Sequence, residues 1–290
     1  MTCPICGSES TKTFSSAWTF RCRDCDHRFS NLEPRVGEAS AESTRADIEV
    51  KLALQPVRET TYRDALDLVE RERPLAGARH LDVGCSIGQL LDVSSRRGAH
   101  VEGVEPEEAF RDLARERGHT VHAGYFPEAV GASPRFDLIS FMDVAGHVPD
   151  LVPVGRSAIA HLAPGGRILV KTPAGDGFLL RVGRVLRALG VDLLWQRLWQ
   201  VDFASPQIHF FTPRSMERFA QEIGGRVVAS RRFPALQREG LWRRMLPGEK
   251  IALWKAIPIY AVLSVVLPIV NRLPQDSLLV VIAPQESADG

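Results

Sequence analysis

The sequence predicts an α/β fold, a mostly parallel sheet covered by helices and preceded by a small unit held together by metal. Three observations predict it. From about residue 60 onward, segments with apolar residues at helical spacing alternate with short apolar runs, the pattern of parallel strands joined by crossover helices. Within that pattern lies Leu81-Asp82-Val83-Gly84-Cys85-Ser86-Ile87-Gly88-Gln89-Leu90-Leu91, which reads as a strand, a glycine turn and the start of a helix. Ahead of it stand Cys3, Cys6, Cys22 and Cys25, two C-x2-C pairs separated by 15 residues.

Composition sets the bounds. A chain of 290 residues with 44% hydrophobic content can bury one large core and a minor one. The balance of 36 basic against 35 acidic residues leaves a formal charge of +1, so no global field attracts nucleic acid. The start Met1-Thr2-Cys3-Pro4-Ile5-Cys6 lacks the basic region and apolar stretch of a secretory signal, and the cytoplasm is the expected location. Five cysteines fit a reducing compartment and a metal site better than a disulfide framework.

The cysteine spacing lets two short knuckles present four thiolates tetrahedrally to zinc, with Gly7 relieving the backbone after the first pair. Residues 17–23 read as a returning strand, which makes the unit a small zinc ribbon. Nothing else in the first thirty residues reads as a core, so bound Zn2+ is expected to supply the folding energy. His27 competes with Cys25 as a ligand, but a closed set of four thiolates already satisfies the ion and implies a structural role. Residues 1–32 are thus expected to form the ribbon, 33–55 a connector poor in large apolar residues, and 56–290 the main domain.

The main domain opens with a helix over 60–72, where Ala65, Leu66 and Val69 recur at helical spacing before Pro74. After the glycine turn and a helix from near Gly88 comes Val101-Glu102-Gly103-Val104-Glu105, a strand ending on an acid 23 residues after Asp82. A carboxylate there can take two ribose hydroxyls of a nucleoside cofactor. The G-x-x-x-G spacing of Gly84 and Gly88 is not the G-x-G-x-x-G of dinucleotide sites, so a pyrophosphate cofactor is disfavoured. By itself the loop also fits an ordinary strand-to-helix turn of another α/β protein. A helix over 106–117, strands over 120–123 and 136–142, a helix over 152–162, a turn at Ala163-Pro164-Gly165-Gly166 and a strand over 167–170 follow. Later come a helix over 213–223 and strands over 226–231 and 277–282.

The glycine loop, Glu105, the segment from Phe136 to Asp150 and Leu162-Ala163-Pro164-Gly165-Gly166 together resemble the class I S-adenosylmethionine-dependent methyltransferases over residues 56–290. The resemblance implies a Rossmann-like seven-stranded sheet of order 3-2-1-4-5-7-6 with the seventh strand antiparallel, and S-adenosylmethionine bound at the carboxyl ends of strands one and four. It further implies that Asp82, Gly84, Cys85 and Gly88 line the methionine side, that Glu105 takes the ribose, and that Tyr125 or Phe126 packs on the adenine. Asp143 and Val144 are then expected beside the methyl-transfer centre. Many relatives carry Glu before the histidine where this chain has Gly146, which puts a carboxylate-histidine pair there in doubt.

A sulfonium cofactor needs alignment of the acceptor more than chemical help, but a hydroxyl acceptor benefits from a general base. His147 and His209 are the two best placed, the second within Gln207-Ile208-His209-Phe210-Phe211-Thr212-Pro213, a segment similar to one bordering the acceptor site of bacterial sugar and natural-product methyltransferases. Either histidine fits equally well as a residue bonding backbone. The remaining histidines are expected at the surface, and Cys85 reads as a small side chain in a crowded loop rather than a reactive thiol.

Two insertions, about 174–208 and 234–275, depart from the core pattern. Within the first, residues 178–199 read as a basic amphipathic helix, with Arg181, Arg184 and Arg187 opposite an apolar face. Within the second, 241–273 holds an uncharged stretch flanked by tryptophans and cations. It is too short and proline-interrupted for a span, and it reads as a lid, a dimer contact or a contact with the inner face of a membrane. The expected activity is O-methylation of a sugar, a lipid-linked glycan or a related small molecule. A second reading is an RNA methyltransferase, against which stand the near-zero charge and the lack of a base-stacking surface. A third is a scaffold protein that binds the cofactor without catalysis.

Overall fold

The computed structural model describes residues 1–35, 48–49, 51–132, 134–233 and 272–285. Seven strands form the main sheet: β4 (Arg79–Val83), β5 (His100–Glu105), β6 (Thr120–Ala123), β7 (Phe136–Met142), β8 (Leu162–Pro173), β10 (Gly225–Phe233) and β11 (Ser277–Pro284). Their spatial order is β10-β11-β8-β7-β4-β5-β6. Numbered by succession within this sheet, that is 3-2-1-4-5-7-6, the expected order. β4, β5, β6, β7 and β8 run parallel to one another, and β11 is antiparallel to both β8 and β10.

Apolar alternation explains why the sheet is covered on both faces. Along β11, Leu278, Val280 and Ile282 enter one core, while Leu279 and Val281 enter the other. Helix α1 (Gln55–Glu70) packs Ala65, Leu66, Leu68 and Val69 onto the second core, starting earlier than its predicted bounds because Pro56 suits a first helical turn. Helices α2 (Gln89–Ser95), α3 (Glu108–Glu116), α4 (Leu151–Ala160) and α7 (Pro213–Glu222) cover the remainder. β8 begins at Leu162, so the predicted 163–166 turn is part of a longer strand with an irregular register against β7.

The amino-terminal unit differs from an independent ribbon. Its strands β1 (Thr11–Phe14), β2 (Ser16–Cys22) and β3 (Arg28–Ser30) form an antiparallel sheet whose fourth strand, β9 (His209–Phe210), comes from the main domain. Phe29 pairs with His209 and Arg28 with Phe210.

Residues 178–199 are two helices rather than one. α5 (Phe178–Ala188) ends before Gly190, whose φ of +86° is left-handed, and the chain returns as α6 (Leu193–Trp199). The hairpin serves the ribbon: Phe14, Leu180, Trp195, Trp199 and Phe210 form a shared core, and Trp195 Nε1 donates to Ser16 Oγ at 3.3 Å. Each tryptophan buries on the order of 200 Å², an upper figure of about 5 kcal/mol apiece. The ribbon thus has a packing core as well as its cysteines. Two of the three arginines also turn toward it, with Arg187 Nε donating to the Ser15 carbonyl at 2.8 Å and Arg184 lying over the Phe14 ring. Leu189 and Leu193 stay exposed at the hairpin tip. Nearly all of 241–273 lies outside the described residues, and among those described no helix is long and apolar enough to cross a membrane.

Candidate active site

The carboxyl ends of β4, β5 and β7 converge on the glycine loop. Gly84 leaves β4 at φ +70°, Ser86 follows at φ +52°, and Gly88 at φ +78° turns the chain into α2. At Gly84 and Gly88 this left-handed backbone is one that glycine adopts without strain. A Cβ on Gly84 would stand 2.5 Å from Val144 Cγ2, so the loop presses directly against the end of β7. Ser86 Oγ is buried with no hydrogen-bond partner, a polar atom left for a ligand in this loop.

Glu105, 6% exposed at the end of β5, accepts from the backbone N–H of Ser86 at 2.8 Å and of Glu107 at 3.0 Å. Burial lifts its pKa, and the two amides work against that lift. The carboxylate is therefore fixed in direction beside the loop. Tyr125, half exposed in the turn after β6, lies near enough to Glu105 and Glu107 for their charges to help raise its phenol pKa, after burial. Phe126, the alternative adenine neighbour, is instead buried against Phe141 and His161. Cys85 contributes backbone to the loop, but its Sγ turns inward against Gly103 and into a small core with Leu91, Ala114 and Val121. Burial pushes that thiol up, which keeps it unreactive.

Asp82, next to last in β4, has its carboxylate buried, and Ser140 Oγ donates to Oδ1 at 2.5 Å. Burial pushes its pKa up to about 7. Behind it, His80 bonds Ser140 Oγ through Nε2 and Ser94 Oγ through Nδ1, each at 2.8 Å. The expectation that the other histidines lie at the surface fails here: His27, His80 and His161 are all buried, each held by a hydrogen bond.

Beyond β7, Asp143 takes a left-handed φ of +62°, and Lys171 of β8 reaches both its oxygens at 2.6 Å. Burial opposes the charge, but the Lys171 ammonium outweighs it and holds the carboxyl below its ordinary range. Lys171 was not singled out in the sequence, because its partner lies 28 residues away, just past the end of another strand. His147 Nδ1 bonds the Pro206 carbonyl at 2.8 Å. A carbonyl only accepts, so Nδ1 carries the proton and Nε2 keeps its lone pair. Burial lowers the pKa of His147, which keeps the ring neutral at pH 7.

His209 is placed differently. It is fully buried, its Nε2 donates to the Val148 carbonyl at 2.8 Å, and its Nδ1 accepts from His27 Nε2 at 3.0 Å. Burial takes its pKa down to about 4. Both ring nitrogens are committed to protein, the geometry of a residue that joins segments. Gly146, the departure noted in the sequence, has a reason as well. A Cβ there would meet Gln207 Nε2 at 1.9 Å.

The four cysteine sulfurs lie within 4.8 Å of one another, with Cys3–Cys25 at 3.7 Å and Cys6–Cys22 at 3.6 Å. Four thiolates bound tetrahedrally at ~2.3 Å would stand about 3.8 Å apart, so the set fits a single ion. His27 stays outside it.

Fold and site together define a class I methyltransferase. A family model described as a methyltransferase domain matches residues 57–230, and the chain belongs to that family. Among curated relatives, a ubiquinone biosynthesis O-methyltransferase of Methylobacterium sp. (strain 4-46) is 32% identical over 167 residues, covering 54% of this chain and 62% of the relative. One from Xylella fastidiosa (strain 9a5c) is 35% identical over 41% of this chain and 49% of its own length. One from Aromatoleum aromaticum is 33% identical over 55% and 68%. The chain thus spans about half to two thirds of these relatives. Solved structures share the fold: a SAM-dependent methyltransferase from Archaeoglobus fulgidus (TM-score 0.53, 14% identity, 79% of this chain and 94% of that one) and magnesium protoporphyrin IX methyltransferase of Synechocystis PCC 6803 with bound SAH (0.50, 12%, 86% and 90%). The chain is thus a member of the methyltransferase-domain family, with a cysteine cluster of metal-binding type at its amino terminus.

Proposed function

We propose that the protein transfers a methyl group to a hydroxyl of a small-molecule acceptor, with His147 as general base. The observation that carries this is the Nδ1–H bond from His147 to the Pro206 carbonyl, which leaves Nε2 basic on a ring close enough to Asp143 to feel its charge. When bound, S-adenosylmethionine supplies a methyl already activated by its sulfonium. Glu105 would hold the ribose, Gly84, Ser86 and Gly88 would give close backbone approach, and Val144 with Asp143 would border the reacting end. The chain's own task is then to orient the acceptor oxygen, exclude water and take one proton at His147 Nε2.

O-methylation is supported by the relatives' names, which point to ubiquinone biosynthesis rather than to a sugar or glycan. The sugar acceptor expected from the sequence therefore gives way to a non-sugar hydroxyl. The four cysteines are proposed to hold Zn2+, on the match of their spacing to a tetrahedral thiolate site.

The test is His147→Gln. Methyl transfer to a hydroxyl acceptor should fall roughly 100-fold or more, with cofactor affinity within about twofold. In the unaltered protein, kcat/KM should drop as pH falls through an apparent pKa below the ordinary 6.5 of histidine, since the base must be neutral. A fully active variant with an unchanged pH profile would remove His147 as the base.

A further inference from the structure

His27 is an odd residue for its site. It is completely buried, stacked on Phe29 and 4.6 Å from Phe211, a slot a phenyl ring would fill. Its Nδ1 is buried without a partner, a cost of roughly 1–3 kcal/mol that Phe would avoid. What the imidazole adds is one bond, from Nε2–H to His209 Nδ1, across 182 residues of sequence.

That bond begins a continuous path. His209 passes its own Nε2–H to the Val148 carbonyl. The backbone N–H groups of Ile208 and His209 both donate to the Gly146 carbonyl, at 2.7 and 3.0 Å. Pro206, on the same segment, receives His147 Nδ1. The ribbon grips this segment a second time through Ser30, whose N–H donates to the Ile208 carbonyl at 2.9 Å and whose hydroxyl donates to the Gln207 carbonyl at 3.1 Å. The turn at 146–148 is thus tied by four bonds to residues 206–209, the segment that runs into β9 of the ribbon's sheet, and His27 sits two residues from Cys25.

We propose that the four-cysteine ribbon is a positioning device for the acceptor side of the active site: His27 and His209 act as positioning residues that fix the 146–148 turn and thereby His147. This rests on the reading of His147 as the base for its catalytic meaning, but the mechanical coupling stands apart from that reading. A ribbon that served only as an appendage would have no reason to share a strand with the segment that holds His147.

The experiment is hydrogen exchange on the full chain, comparing the unaltered protein, its metal-stripped form and His27→Phe with bound metal confirmed by elemental analysis. The amides of His147, Ile208 and His209 should exchange at least about tenfold faster in both altered forms, while those of β4 and β5 keep their rates and cofactor affinity stays within about twofold. In turnover, His27→Phe should lower kcat about tenfold with the cofactor KM unchanged, and His27→Gln, which keeps an N–H donor, should recover part of that loss. If the stripped chain unfolds, His27→Phe with metal retained decides alone. Unchanged exchange at the three amides in that variant overturns the proposal. A fully active His147→Gln protein would instead overturn the base while leaving the exchange result intact.

Discussion

Asp82 sits near the end of β4 with its carboxylate enclosed, receiving one hydroxyl bond from Ser140 and facing the nearby charge of Glu105. Burial moves its pKa from 3.8 to about 7. A carboxyl whose folded pKa is raised favours the fold at low pH, and that advantage is lost as pH rises from about 4 through about 7. The resulting penalty at pH 8 is a few kcal/mol on the scale of ~1.4 kcal/mol per pKa unit. Asp82→Asn should therefore gain in melting temperature over the unaltered chain, without cofactor, as the pH is raised from 4 to 8. Parallel melting profiles for the two proteins would show that Asp82 is not strained by its burial. Residues of this kind were legible in the sequence because their demands are local: Gly84 and Gly88 need left-handed backbone within one turn, and Glu105 needs only to end the next strand. Lys171, His27 and Gln207 were not legible. Each draws its role from a partner on a distant segment, and no periodicity records such a pairing.

At the scale of elements, the loop after β7 and the strand β9 form one interlocked piece. Gly146 is required by Gln207, whose Nε2 occupies the space of a Cβ and donates to the His209 carbonyl at 2.7 Å. Gly146→Ala should cost about 1–3 kcal/mol by overpacking. Gln207→Ala should relieve part of it, so that the double variant loses clearly less than the sum of the two single ones. Additive losses in denaturant unfolding would show that the two residues do not compete for that space. In the sequence, Gly146 could be seen only as a missing carboxylate. The single helix expected over 178–199 is two for a related reason: its apolar and basic residues fit opposite faces of one continuous helix, and Gly190 alone marks the break. The face turned out to serve Phe14 and Ser15 of the ribbon, a contact that helical periodicity alone does not assign to a partner.

At the scale of the molecule, the main sheet follows the expected order to its last antiparallel strand, because buried parallel strands and their crossovers write a long apolar rhythm into the chain. The rhythm does not extend to the ribbon, which borrows β9 from beyond residue 200 and its packing core from α5 and α6. The cysteine cluster, the loop after β7 and the glycine loop are consequently joined in one framework, with transfer of a methyl group to a hydroxyl as its proposed output. The most direct measurement is incorporation of labelled methyl from S-adenosylmethionine into extract separated into small-molecule, lipid, glycan, RNA and protein fractions, run beside Glu105→Ala. Label in an O-methylated non-sugar small molecule or lipid, lost in the Glu105→Ala protein, is the predicted result. Label in glycan, RNA or protein, or label that persists without Glu105, would contradict it.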